Sequence, residues 1–122
     1  MSDIIDLKDV LERVQDDKEL LLELLDIFQE DFVDKRKALG QAVQSNDLAN
    51  IKLIAHSLKG SSGNISAKPI HASCLKIEQL LKENKINSVS AVLSEIDGQF
   101  AQLKQYAVEL KQKFNLPDQR KT

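Results

Sequence analysis

In LLLELLDIFQEDFVDKRKALGQAV, Leu20 to Val43, apolar residues return every three or four positions: Leu21, Leu24, Leu25, Phe28, Phe32, Leu39, Ala42 and Val43. That is the period of an amphipathic α-helix with one buried stripe, and at ~3.6 residues per turn it predicts about six turns ending at QSND. A helix with one apolar face needs partners to cover it. The flanking sequence must supply them.

Upstream, Asp6 is placed to cap a short helix, LKDVLERV, whose Leu7, Val10, Leu11 and Val14 share a face and would cover one end of a larger core. Downstream, Asn46 or Asp47 offers a cap for a third segment with Leu48, Ile51, Ile54, Ala55 and Leu58 as its stripe. A fourth starts near Ser66, tolerates Pro69 in its first turn, carries Ile70, Cys74, Ile77 and Leu81 on one face, and stops at KENK. The fifth runs from Val89 through Val92, Leu93, Ile96, Phe100, Leu103, Ala107 and Leu110 to Phe114, and Pro117 in the tail NLPDQRKT ends it. Gly98 within it costs ~1 kcal/mol relative to Ala and permits a kink. The expected fold is all-α: an antiparallel up-and-down four-helix bundle with an additional short N-terminal helix. Residues 1–122 read as a single domain with a short polar tail from about residue 115.

Composition agrees. A chain of 122 residues with 42% hydrophobic content suffices for one core, and 4% aromatics with no Trp favours helices over a sandwich or barrel. A net charge of −2 provides no general positive field, so neither nucleic acid nor a membrane surface is an expected partner. The single cysteine, Cys74, lies on the apolar stripe, where burial accounts for it better than redox chemistry. MSDIIDL lacks a basic leader, and LLLELLDIF is too short and too charged to span a bilayer, so a cytoplasmic location is expected. The Leu-rich second helix has one apolar face, which the bundle needs, so a monomer is expected rather than a zippered dimer.

IAHSLKGSSGNISA, Ile54 to Ala67, departs from the rest of the chain, because two of only four glycines, Gly60 and Gly63, fall inside it. His56 stands one residue beyond the core position Ala55 and is therefore turned ~100° from the core, toward solvent. At helical neighbour spacings it meets Lys52, Lys59, Gly60 and Gly63. A neutral imidazole near pH 7 is an available nucleophile, the lysines would steady an added phosphoryl group, and Gly60 would let another active site approach closely. The sequence has no P-loop, no kinase-like glycine motif and no evident metal cluster. It is therefore expected to be a phosphoryl carrier, not an enzyme with its own ATP site, and the phosphoryl group must come from another protein.

The run AHSLKG (Ala55 to Gly60), the small-residue SSGNISA after it, and CLKIE (Cys74 to Glu78) closely resemble the histidine-containing phosphotransfer (HPt) domain of bacterial-type phosphorelays. The resemblance implies that His56 accepts a phosphoryl group from the phosphoaspartate of one receiver domain and passes it to the aspartate of another. It also implies that Lys59 steadies the phosphate, Gly60 admits the receiver, and Glu78 supplies a hydrogen-bond partner to the imidazole. Response-regulator receiver domains or a hybrid sensor histidine kinase would be the partners. No cofactor would be bound by this chain, the Mg²⁺ belonging to the receiver. Lys52, Gly60 and Gly63 would lie on the docking face. Two positions depart from the family pattern: Gly63 stands where Ala is frequent, and Ser66 replaces a Gly before Ala67.

Other readings compete at single residues. Glu78 could pair with Lys82 at i,i+4, and His71, near the start of the fourth helix, reads as a surface histidine. The alternative function is a non-catalytic helical module that binds a receiver or sensor kinase and regulates it. The start at Met1 and the short tail favour a stand-alone carrier over a piece of a hybrid sensor.

Overall fold

The computed structural model describes residues 3–115, and the expected tail with Pro117 lies outside them. The first three helices begin where an aspartate offers an oxygen to their first amides. Asp6 accepts from the Asp9 amide and opens α1, Leu7–Arg13; Asp17 accepts from Leu20 and opens α2, Lys18–Gln44; Asp47 accepts from Asn50 and opens α3, Leu48–Asn64. Asn46 does not cap but turns the chain, with φ 53°. α4, Lys68–Lys82, starts two residues later than expected, behind Ala67, which gives no side-chain cap, and has Pro69 in its first turn. A single 3₁₀ turn, Ile86–Ser88, leads into α5, Val89–Asn115, which is continuous through Gly98. At 27 residues α2 makes roughly seven and a half turns, more than expected.

Short connections join sequential helices that pack on one another, and α2 meets α5 to close the ring. This is the up-and-down bundle. Ile51, Ala55 and Leu58 of α3, Ile70, Cys74 and Ile77 of α4, and Leu21, Leu25, Phe28, Phe32 and Leu39 of α2 are all buried in the one core. Each large side chain so buried contributes ~1.5–3 kcal/mol relative to exposure. Phe32 stacks on Phe100 with ring centroids 3.9 Å apart, and Arg36 grips Asp97 through two hydrogen bonds of 2.7 and 3.0 Å. α2 and α5 are thereby fixed to each other by both apolar and charged contacts.

α1 is fastened to the α3–α4 connection. The Asp6 amide donates to the Ser66 carbonyl at 2.9 Å, Ser66 Oγ donates to Asp9 at 2.6 Å, and Lys68 reaches Asp6 at 2.8 Å. Ser66 is buried and has φ 56°, a left-handed conformation that favours glycine. The glycine that the resemblance puts at this position would therefore fit the backbone, while serine adds the bond to Asp9. Among the described residues, no helix is long and apolar enough to cross a membrane.

Candidate functional site

Burial of Ala55 and Leu58 fixes the rotation of α3, and His56 consequently points outward with its side chain 70% exposed. Leu53, three residues earlier, is exposed as well. From α4, Glu78 extends across the seam: its Oε1 accepts from Lys59 Nζ at 2.8 Å, and its Oε2 lies 3.4 Å from His56 Nδ1. Both carboxylate oxygens are thus directed at α3, and the alternative pairing with Lys82 is not adopted. The Lys59 ammonium holds the Glu78 carboxyl below the usual carboxylate range, with a smaller contribution from the His56 ring, and partial burial works in the opposite direction. A carboxylate that stays ionised can keep a proton on Nδ1, which leaves the lone pair on Nε2. At 3.4 Å the contact orients the ring only weakly.

The two glycines of α3 differ. Both lie within the helix and neither has positive φ. A Cβ added at Gly60 would meet nothing within 4 Å, whereas one at Gly63 would sit 3.4 Å from the Nδ1 of His71. Gly60 therefore leaves open space beside His56, while Gly63, expected on the docking face, is packed beside α4. The surface reading of His71 is corrected by the same contact: the residue is half-buried, with Nδ1 3.0 Å from the Lys59 carbonyl oxygen. The missing side chain at Gly63 was the one trace of this packing in the sequence, and it identifies no partner by itself. Lys52 is exposed and lines a groove with Leu48, Leu81 and Lys82 that leads to Lys59 and Glu78. Cys74 lies beneath, fully buried, and burial pushes its thiol up to about 12, with the Glu78 charge acting in the same direction and Lys59 against it. The thiol is thus protonated and shielded rather than reactive.

The model of the Hpt domain family matches residues 23–112, from the second turn of α2 through most of α5. The chain belongs to the Hpt domain family. Histidine-containing phosphotransfer protein 2 of Arabidopsis thaliana is 26% identical over 114 residues, covering 89% of this chain and 71% of that protein. The crystal structure of histidine-containing phosphotransfer protein B (HptB) from Pseudomonas aeruginosa PAO1 has the same fold: TM-score 0.84 at 21% identity, over 93% of this chain and 99% of that one. This Hpt domain is accordingly a phosphorelay phosphotransfer protein, and proteins of the family are phosphocarriers rather than kinases.

Proposed function

We propose that His56 is the phosphorylated residue, taking its phosphoryl group from a receiver-domain phosphoaspartate and giving it to the aspartate of another receiver. The Nε2 lone pair attacks phosphorus, the N–P bond forms, the acyl-phosphate P–O bond breaks, and the partner's carboxylate leaves. The ring keeps its Nδ1 proton and becomes cationic, a charge that Glu78 stabilises from across the seam. Transfer onward reverses each bond change. The ammonium of Lys59 has three donors, enough to keep Glu78 and to take up a phosphoryl oxygen as well.

The observation that carries this reading is the exposed ring of His56 joined through Glu78 to Lys59, a nucleophile, an orienting acceptor and a cation assembled from two helices. Gly60, Lys52 and Leu53 form the docking face, with Gly63 at its border. A carrier that must release its partner suits an interface of about 1,200 Å² or less. The partners are receiver domains, free or within a hybrid sensor kinase, and the Mg²⁺ of the reaction resides on the receiver. The same proposal includes a monomer acting in the cytoplasm as one domain, with no ATP site of its own.

Phosphorylated receiver domains mixed with wild-type protein and with His56→Gln test it. Acid-labile, alkali-stable label is expected on the wild type alone. Label persisting on His56→Gln would move the nucleophile elsewhere, and receiver binding without any uptake would favour the regulatory module.

A further inference from the structure

Lys59 is held from both ends by the same helix. Its side chain reaches Glu78, and its main-chain oxygen lies 3.0 Å from the Nδ1 of His71. His71 and Glu78 are seven residues apart, two turns along one face of α4. A carbonyl can only accept, so the His71 ring carries its proton on Nδ1. Ser62 Oγ donates to the same oxygen at 3.1 Å. The ring sits over Gly63, where an added Cβ would come within 3.4 Å of Nδ1 and 3.7 Å of Cε1. Nothing in the transfer chemistry calls on this ring directly.

We propose that His71 is a positioning residue for phosphoryl transfer, its Nδ1–H fixing the Lys59 main chain so that the ammonium stands between Glu78 and the phosphoryl group on His56. The inference rests on the reading of His56 given above. Its physical basis is that an electrostatic contact with the phosphoryl oxygens depends on distance, and a long lysine chain holds its distance only if its root is fixed. Glu78 fixes the tip of Lys59 and His71 fixes the base. Two anchors on one rigid helix make their spacing a property of α4 rather than of a loop.

Single-turnover transfer from a saturating phosphorylated receiver tests the proposal in His71→Leu, which removes the donor, and in His71→Asn, which returns an N–H near the position of Nδ1. His71→Leu is expected to slow transfer ~3–10-fold, the loss of one hydrogen bond, and His71→Asn to recover to within ~2-fold of wild type. In a Lys59→Ala background, His71→Leu should have no further effect, because the residue through which it acts is gone. Equal slowing in both backgrounds would reveal a merely structural role and overturn the proposal, as would an unimpaired His71→Leu. Should His71→Leu fail to fold, ring ¹⁵N spectra of the wild type still decide: a proton on Nδ1 of His71 is expected, and a ring protonated on Nε2 alone would refute the contact. Absence of label on the wild type would fell the His56 reading and this one together, whereas normal wild-type transfer with an unaffected His71→Leu would fell this one alone.

Discussion

Around His56 the seam between α3 and α4 stands open, whereas two turns further along, around His71, it is filled. His56 is 70% exposed, and the glycine beside it, Gly60, leaves space for another molecule. His71 is half-buried, and Gly63 beside it is in contact range of the ring. Both rings direct Nδ1 at an acceptor, but one acceptor is a carboxylate tied to a lysine and the other is a main-chain carbonyl. The imidazoles are chemically the same. On the proposed reading, exposure and the charge of the partner are what suit one to act as the nucleophile and the other to hold the helix pair.

Gly60→Arg should break the open end most severely. Since a Cβ fits there without contact, the fold should be retained, while transfer falls by ~100-fold or more through exclusion of the partner. Normal transfer rates in that variant would remove close approach as the role of Gly60. Next in size, Glu78→Ala should slow transfer ~10-fold by releasing the ring and Lys59 together, with Glu78→Gln, which keeps an acceptor, losing only ~2–3-fold. Equal losses in rapid-quench measurements would mean that the charge of Glu78, rather than its hydrogen bond to the ring, is what matters.

Smaller effects concern stability. A carboxyl whose folded pKa lies below its unfolded one adds stability above the unfolded value and loses it as pH falls through the folded one. For Glu78 the loss therefore begins below its ordinary value of 4.5. Unfolding free energies of wild type and Glu78→Gln from urea titration should differ by ~1 kcal/mol or less at neutral pH and converge in acid below that value. A gap that ignores pH would show that the Lys59 pairing adds nothing to the fold. Gly63→Ala is the mildest probe of the closed end: 3.4 Å to His71 is ordinary contact, so better helix propensity should raise stability by up to ~1 kcal/mol. A fall in thermal midpoint would show that the ring fits more tightly than this distance implies.

Much of the fold was legible because the periods are local. The stripe from Leu21 to Val43 marks α2, and Asp6 and Asp47, both among the expected caps, open α1 and α3 by bonding amides three residues on; Asp17 does the same for α2 without having been singled out. His56 was legible for a related reason: one residue past a core position, a helix side chain is carried to the surface. The bond made by Ser66 was not. Its left-handed φ belongs to the local turn that ends α3, where the Ala67 amide donates to the Ser62 carbonyl, but its bond to Asp9 is a contact with a residue 57 positions away, which no local pattern encodes.

The sequence by itself determined which residues form helices, which faces are buried, and that a histidine with lysines and glycines around it reaches solvent, since all of these follow from spacings within one helix. Only the tertiary structure decided that Glu78 takes Lys59 and His56 rather than Lys82, that Gly60 is open while Gly63 is not, and that His71 grips the Lys59 main chain. Those outcomes depend on how α4 is rotated and shifted against α3. That relation is set by packing of the buried faces of the two helices, which carry Ile51, Ala55 and Leu58 on α3 and Ile70, Cys74 and Ile77 on α4, a condition on two helices at once that neither segment expresses alone.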